Sequence, residues 1–210
     1  MMIIKNAMKF LRRFILFLFS LVVFTLGFSM IIKSGLGNDT VSILAQGVAL
    51  QTGLTVGQGS QIINLVFIVV VLLIKRSYIS WGTFVSALGV GYGLDLFLAI
   101  LPKPELVLAQ CIMLIAGIIF SGMGIAVTIH SNFGSSPFDS FMMMMTTILR
   151  TRIKIVRIIM DTIIAAIGWL MGGSLGVGTI LTMILFGPVI EFSLKKLNCL
   201  SCKSVNKKSL

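Results

Sequence analysis

Long apolar runs separated by short polar interruptions make up most of the chain. A helix needs about 20 apolar residues to cross the hydrocarbon core of a bilayer. Six runs approach or exceed that length: Phe14–Ile32, Val56–Ile74, Ile79–Leu101, Leu106–Ile129, Ile153–Met171 and Val177–Leu194. Because apolar and polar residues do not alternate strictly in these runs, they predict helices and not the strands of a barrel. The pattern therefore predicts an all-α, polytopic membrane protein with six full spans.

Two shorter apolar segments, Thr40–Gln51 and Pro137–Leu149, each follow a glycine-containing turn. At about 1.5 Å per residue, each reaches only some 20 Å into a hydrocarbon core about 30 Å thick. The segments are therefore expected to be either re-entrant half-helices or short spans that tilt or thin the bilayer.

The two topologies can be compared by the positive-inside rule, which favours the one with more basic residues on the cytoplasmic side. With a cytoplasmic N-terminus, re-entrant short helices put Lys75, Arg76 and the basic cluster at 150–157 inside, and only Lys33 and Lys103 outside. Spanning short helices move Lys75 and Arg76 outside and Lys103 inside. The re-entrant arrangement is better by one charge and makes two inverted halves of three spans, whereas the alternative makes two parallel halves of four. Both arrangements place both termini in the cytoplasm.

Matching residues recur along the chain at an offset of 97 or 96 positions, which predicts an internal duplication. The matches are Gly27 with Gly124, Gly37 with Gly134, Asn64 with Asp161, Gly82-Thr83 with Gly178-Thr179, Gly91 with Gly187, and Asp95 with Glu191. The predicted organisation is a basic cytoplasmic N-terminus (1–13), a first repeat half (14–101), a connecting loop (102–105), a second repeat half (106–197) and a basic cytoplasmic tail (198–210).

Composition supports the membrane assignment, because 57% of residues are hydrophobic and only 11% are charged. Soluble domains carry about 25% charged residues. Lys and Arg number 17 against 6 Asp and Glu, and the basic residues lie mostly at the ends of apolar runs and in the two tails. This distribution is typical of loops beside a bilayer and not of a nucleic-acid surface. The tail lysines Lys203, Lys207 and Lys208 are expected to lie on anionic lipid.

Five of the six acidic residues lie in or beside apolar segments: Asp39, Asp95, Asp139, Asp161 and Glu191. A charge at mid-bilayer costs at least about 2.5–3.5 kcal/mol on insertion scales, so such residues face the bundle interior, pair or stay protonated. Asp161 has Arg157 four residues earlier on the same helix face. These acids indicate either a cation or proton pathway, with Asp95, Glu191 and Arg157 as coupling or gating residues, or a set of structural pairs and caps.

The two glycine turns supply the remaining candidate site residues. Ser136 reads as an N-cap, Pro137 as a first-turn proline and Asp139 as an acid at the third helical position. Asn38 or Asp39 can cap the first short helix in the same way. Ordinary caps would suffice to explain both turns. The functional alternative is a binding site at the paired helix breaks, formed by Asn38, Asp39, Asn64, Ser136, Asp139 and Asp161.

Acids in the first turns already interact with the positive end of the helix dipole at these helix N-termini. A simple anion bound there would meet Asp39 or Asp139. The expected ligand is therefore a small polar, cationic or zwitterionic solute.

The order of motifs resembles the YczE/YitT-type family of bacterial integral membrane proteins. The second half shows Phe133-Gly134-Ser135-Ser136-Pro137-Phe138-Asp139, and the first half shows Gly35-Leu36-Gly37 and Thr52-Gly53-Leu54-Thr55-Val56-Gly57. The likeness covers roughly Gly27 to Leu194, although Thr40 stands where proline would be and Ser42 where the acid would be. The resemblance implies a duplicated helical bundle in the bacterial cytoplasmic membrane and brings no substrate.

These features favour a secondary transporter, or the transport subunit of a larger assembly. The alternative is a non-transporting scaffold that binds and regulates another membrane protein or forms a homodimer through its GxxxG faces. No catalytic motif supports an enzyme, and no cofactor or metal site is expected. Cys199 and Cys202 supply two thiols where a structural zinc site usually needs four ligands, so they are expected to be a free or lipidated pair, a redox pair, or part of a metal site shared across a dimer.

Overall fold

Eight α-helices form the part of the chain that the structure, a computed structural model, describes: residues 2–131, 133–151 and 153–206. The helices are α1 Met2–Ser34, α2 Thr40–Thr52, α3 Val56–Ile74, α4 Trp81–Ile100, α5 Val107–Ser131, α6 Pro137–Leu149, α7 Ile153–Leu170 and α8 Val177–Asn206. A short 3-10 turn, Arg76–Tyr78, joins α3 to α4. The predicted all-α fold class is confirmed. Arg152, Lys207 and Lys208 lie outside the described residues, as do the side chains of Cys199, Cys202 and Lys203.

Five helices in the described chain are long and apolar enough to cross a membrane: Phe10–Ser34 within α1, all of α3, α4 and α5, and Val177–Leu197 within α8. Large apolar side chains on their outer faces are open to the surroundings, as at Trp81, which is 85% exposed. Such a surface is stable against acyl chains and not against water. The protein is therefore a membrane protein. The sixth predicted span, α7, is 18 residues long and carries Lys154, Arg157 and Asp161.

Most predicted boundaries agree closely with the helices. α3 and α6 begin and end at the predicted residues, and α2 extends one residue further. The terminal helices differ, because α1 begins at Met2 and α8 continues to Asn206. Neither the stretch 2–13 nor the stretch 195–206 contains glycine or proline, so nothing in these segments interrupts a helix that has already begun.

The centre of the bundle is the interface between α1 and α5, which is the largest in the described structure. Close approach depends on glycine: a Cβ at Gly27 would lie 2.7 Å from the Gly117 oxygen, and one at Gly124 would lie 2.7 Å from the Phe24 nitrogen. α4 packs on the outside of α1 and α8 on the outside of α5. The buried core between these helices includes Phe17, Ile31, Leu114 and Ile118.

Each short helix packs against the third helix of the other half of the chain. α2 contacts α7 as well as its neighbour α3, and α6 contacts α3 as well as its neighbour α7. At the α2–α7 crossing, a Cβ at Gly168 would lie 2.6 Å from the Leu44 nitrogen. The turns before the short helices also reach across: Gly178 N donates a 2.8 Å hydrogen bond to Leu36 O, and Ser80 Oγ donates a 3.5 Å bond to Phe133 O.

The C-terminal ends of the two short helices lie far apart. Gln51, near the end of α2, donates from its amide to Met171 O, just after the end of α7. Thr147, near the end of α6, shares a 2.8 Å hydrogen bond with the Tyr78 hydroxyl, just after the end of α3. Because α3 starts directly after α2, the ends of α2 and α6 lie at opposite ends of this helix of 19 residues.

The helix pairs α3–α4 and α7–α8, at the periphery of the bundle, are packed differently. α3 packs closely against α4, so that a Cβ at Gly57 would overlap the carbonyl oxygen of Gly91. Among the described residues, α7 has no comparable packing against α8. Gly187, which stands 96 positions after Gly91, is correspondingly open: a Cβ there would meet no atom within 4 Å.

Candidate functional site

A cavity of about 440 Å³ lies inside the bundle, and all eight helices or the turns before them contribute to its wall. Its volume falls in the range of about 300–1,000 Å³ that is typical of small-molecule sites. The wall brings together five of the six residues predicted to bind a solute: Asp39, Asn64, Ser136, Asp139 and Asp161. The predicted gating residue Arg157 lines the same cavity.

Asp161 is held in place from two sides. Its Oδ2 lies 3.6 Å from Nε of Arg157, one turn earlier on α7, as the spacing in the sequence predicts. Its Oδ1 accepts a 2.9 Å hydrogen bond from the Thr40 hydroxyl at the start of α2. The carboxylate therefore connects α7 to the short helix of the other half of the chain, at the wall of the cavity.

Asp39 is the N-cap of α2. Its Oδ2 accepts hydrogen bonds from the backbone nitrogens of Val41 and Ser42, at 3.2 and 3.3 Å, as is usual for an aspartate cap. The residue is 7% exposed, and its second oxygen, Oδ1, has no hydrogen-bond partner among the described residues. A buried carboxylate oxygen without a donor is costly, so the described residues leave the negative charge of Asp39 incompletely compensated.

Ser136 is the predicted N-cap of α6, followed by Pro137 in the first turn. Its Oγ accepts a hydrogen bond from the backbone nitrogen of Asp139 at 3.1 Å, and its hydroxyl donates to Asp139 Oδ2 at 2.8 Å. In a capping box the acid accepts from the backbone nitrogen of the cap residue. Here it accepts from the cap hydroxyl, and both side chains line the cavity.

The electrostatics of the wall are dominated by carboxylates. Asp39, Asp139 and Asp161 all line the same cavity. Arg157 is the one basic residue among the lining residues of the cavity. Three carboxylates and one guanidinium give the wall a formal charge that favours a bound cation.

Four phenylalanines form the aromatic part of the wall: Phe24, Phe28, Phe138 and Phe186. The Phe24 and Phe28 ring centroids lie 4.3 Å apart, and those of Phe28 and Phe186 lie 6.0 Å apart. The sequence analysis did not single out these rings. The i, i+4 spacing of Phe24 and Phe28 was a signal that they share a helix face, but the helix is apolar on every side.

The cavity reaches the surface of the bundle at an apolar mouth. Ile129, Met143 and Met183 line the cavity and are also 48%, 50% and 42% exposed. These side chains come from α5, α6 and α8. Because the outer surface of the bundle faces lipid, the opening at this rim faces acyl chains.

Asn38 is the predicted binding residue that does not line the cavity. Its side-chain nitrogen donates to Gln46 Oε1 at 2.8 Å and to Ser174 Oγ at 2.9 Å. Its Oδ1 is buried and has no hydrogen-bond partner in the described chain. Asn38 therefore joins the turn before α2 to the turn before α8.

Asp95 and Glu191 also lie away from the cavity. Asp95 accepts hydrogen bonds from the Thr55 hydroxyl at 2.6 Å and from Gly57 N at 2.8 Å, which fastens α4 to the start of α3. Glu191 forms an exposed ion pair with Lys195 on α8, with 2.8 Å between Oε1 and Nζ. Their expected part in coupling or gating stays a prediction that would have to act through helix contacts.

Comparison with known proteins places these features in a family. A family model described as "Family of unknown function (DUF6198)" matches residues 11–195. The "Uncharacterized membrane protein YczE" of Bacillus subtilis (strain 168) is 35% identical over 142 residues, which are 68% of this chain and 66% of that protein. An "Uncharacterized protein" of Haemophilus influenzae is 29% identical over 84% of this chain and 81% of its own length.

A further relative, the "Uncharacterized protein YyaS" of Bacillus subtilis (strain 168), is 25% identical over 81% of this chain and 87% of its own length. No solved structure matches the chain significantly. The resemblance inferred from the glycine motifs is confirmed by the family match and by the identity with YczE. The chain therefore belongs to the family of unknown function DUF6198 and is similar throughout most of its length to YczE-type membrane proteins.

Proposed function

We propose that this protein is a secondary transporter, or the transport subunit of a larger assembly, for a small polar, cationic or zwitterionic solute. The observation that carries the proposal is the cavity that Asp39, Asp139 and Asp161 share inside the bundle. Acids inside a membrane bundle are costly and are retained chiefly where they serve a substrate or ion path. The inferred solute binds between the two halves of the chain.

The proposal includes a duplicated architecture with inverted halves. α2 and α6 are both 13 residues long and start 97 positions apart. The cavity wall pairs residues at offsets of 97 or 96: Asp39 with Ser136, Ser42 with Asp139, Ser60 with Arg157, Asn64 with Asp161, Ser86 with Thr182, Val90 with Phe186 and Leu94 with Ile190. This pairing supports a two-fold relationship between the halves, with the cavity on its axis.

Re-entrant short helices fit the arrangement of α2 and α6. Their N-terminal residues Asp39 and Asp139 line one cavity, while their C-terminal ends lie at opposite ends of α3. Two half-helices that enter from opposite faces and meet near mid-depth have this geometry, and broken helices of this kind form binding sites in many transporters. In this topology α7 is the sixth span, and its Arg157 and Asp161 face the cavity instead of lipid.

We further propose that the protein lies in the bacterial cytoplasmic membrane with both termini in the cytoplasm. The relatives come from bacteria, and one of them bears the name membrane protein. This orientation keeps Lys75, Arg76 and Arg150 on the cytoplasmic side, in accordance with the positive-inside rule. The basic tails would then lie on anionic lipid of the inner leaflet.

The unequal packing of the bundle supports alternating access. α3 and α4 are in close contact, whereas α7 and α8 are not. In inverted repeats, an exchange of the two packing arrangements moves an opening from one side of the membrane to the other. The inferred cycle therefore closes α8 on α7 and separates α4 from α3.

Proteoliposomes test the transport proposal. We expect at least one member of a panel of polar, cationic and zwitterionic solutes to produce saturable uptake or charge movement, and Asp161→Asn to reduce that signal strongly. The exposed loop residue Glu105 supplies the control Glu105→Gln, which should keep wild-type flux. A correctly folded protein that moves no solute, or flux unaffected by Asp161→Asn, would overturn the proposal and favour the non-transporting scaffold.

A further inference from the structure

We propose that the ligand of the cavity is an amphipathic organic cation, in which an ammonium group is joined to an aromatic or branched apolar body. The inference deepens the proposed function and rests on the cavity being its binding site. It depends on three features of the wall: carboxylates that have no basic partner, phenylalanine rings and an apolar mouth.

The charge of the ligand follows from the carboxylates. Arg157 is already paired with Asp161. Among the described residues, neither Asp39 nor Asp139 has a basic partner within the 4.0 Å of an ion pair. Asp39 lines the cavity, and its buried Oδ1 accepts no hydrogen bond from the described residues. A cation at this position compensates a charge that a neutral solute would leave unbalanced and that an anion would oppose.

The apolar body follows from the phenylalanines. Rings of Phe24, Phe28, Phe138 and Phe186 surround the same space as the carboxylates. Aromatic faces attract ammonium groups and also bury hydrocarbon. A hard inorganic cation prefers to be coordinated by several oxygen ligands. The phenylalanine rings supply no such oxygens. The adaptable side chains of Met142 and Met143, which also line the cavity, suit an irregular apolar group.

The apolar mouth of the cavity also favours an amphipathic organic cation as the ligand. The mouth is rimmed by Ile129, Met143 and Met183, which are exposed on the lipid-facing surface. A strongly hydrated ion would have to lose its water at an apolar rim. A cation with a large apolar group partitions into the bilayer and reaches this rim from the lipid phase.

Calorimetric titration of the purified full chain in detergent micelles tests the inference with three probes. Phenyltrimethylammonium carries the charge and the ring, tetramethylammonium carries the charge alone, and benzoate carries the ring with the opposite charge. After subtraction of binding to empty micelles, we expect phenyltrimethylammonium to bind roughly tenfold more tightly than tetramethylammonium, and benzoate not to bind. Equal binding of the two cations, binding of benzoate, or binding of none of the three would overturn the inference.

Substitutions in the cavity wall test whether phenyltrimethylammonium binds in the cavity. Asp39→Asn and Asp139→Asn should each weaken phenyltrimethylammonium roughly tenfold, whereas Glu105→Gln should not change its affinity. Because Asp39 also caps α2, Ser42→Asp provides a second measurement: it adds a carboxylate to the cavity wall at the position equivalent to Asp139 and should strengthen binding of the cation. Unchanged affinity in all three wall variants would contradict the site.

The titration and the flux assay separate this inference from the proposed function. Binding of phenyltrimethylammonium without flux of any solute would support the ligand class and remove the transporter. Asp161-dependent flux of another solute, with no binding of the aryl ammonium probe, would support the transporter and overturn the ligand class.

Discussion

The hydroxyl of Thr40 donates a 2.9 Å hydrogen bond to the carboxylate of Asp161, which lies 121 positions later in the chain. Thr40 is the first residue of α2, and Asp161 lies near the middle of α7. Both side chains are buried. The bond therefore fixes the start of a short helix to an acid inside the bundle, and it is a direct polar connection between the first and second halves of the chain at the cavity.

Thr40→Val removes this bond with little change in side-chain shape. A buried carboxylate that loses a donor costs about 1–3 kcal/mol, so thermal unfolding of the purified protein should occur at a lower temperature. Thr52→Val is the matched control, because the Thr52 hydroxyl is exposed and bonds only to Val48 O within its own helix. Similar melting temperatures for the two variants would indicate that the Thr40–Asp161 bond does not stabilise the bundle.

Gly168→Ala should separate α2 from α7. A Cβ at this position would lie 2.6 Å from the backbone nitrogen of Leu44, which cannot move independently of its helix. Overpacking of this kind typically costs about 1–3 kcal/mol. Gly187→Ala is the control, since a Cβ there meets no atom within 4 Å and alanine favours the helix by up to about 1 kcal/mol. Equal loss of thermal stability in both variants would contradict the close α2–α7 crossing.

The agreement between sequence and structure is best at the caps and at the paired breaks. Ser136 and Asp39 could be predicted as caps because local side-chain chemistry decides where a helix begins. Asp39, Asp139 and Asp161 were predicted to share a site from the two matching glycine turns and the offset of 97 residues, and all three line the cavity. The pairing of Arg157 with Asp161 followed from helix periodicity alone.

Other features depend on tertiary packing that hydropathy does not encode. Phe24 and Phe28 line the cavity, but a membrane helix is apolar both toward lipid and toward its neighbours, so the sequence does not distinguish the two faces. Asp95 was predicted to be either a coupling or gating residue or a structural cap, and hydropathy did not indicate its hydrogen-bond partners Thr55 and Gly57 at the start of α3. The difference between the close α3–α4 packing and the loose α7–α8 packing is visible only in the structure.

Cysteine cross-linking tests whether the two helix pairs exchange their packing. In a background without the native cysteines, Gln61→Cys with Gly91→Cys should cross-link rapidly, because a Cβ at Gly91 would overlap the Gln61 side chain. Ile158→Cys with Gly187→Cys occupies the equivalent positions in α7 and α8, and should cross-link slowly because the two helices must first approach. Locking the first pair should prevent cross-linking of the second. Efficient cross-linking of both pairs within one molecule would exclude alternation between them.

Labelling of single cysteines in intact cells decides between inverted and parallel halves. With re-entrant short helices, Lys103→Cys lies outside and reacts with a membrane-impermeant thiol reagent, whereas Ser77→Cys, beside Lys75 and Arg76, reacts only after permeabilisation. With spanning short helices the two positions exchange sides, and the labelling pattern reverses.

Arg157 and Asp161 stand 97 positions after Ser60 and Asn64, and all four residues line the cavity. Arg157→Ser alone leaves the Asp161 carboxylate without its cationic partner, and breaking one partner of a buried ion pair costs about 3–5 kcal/mol, an upper limit here because Arg157 is partly exposed. The double variant Arg157→Ser with Asp161→Asn copies the uncharged pair of the first half and removes both charges together. Its thermal stability should therefore recover toward that of the unmodified protein.

Solute flux should behave differently from stability in these variants, because transport of a cation depends on the carboxylate itself. The double variant should fold normally and remain inactive, and Asn64→Asp with Ser60→Arg, which copies the charged pair into the first half, provides the reciprocal control. If the double variant regained both stability and flux, the charged pair would be dispensable for transport, and a role for Asp161 in binding the solute would be excluded. Recovery of stability without flux separates the part that this pair plays in the fold from its part in the transport cycle.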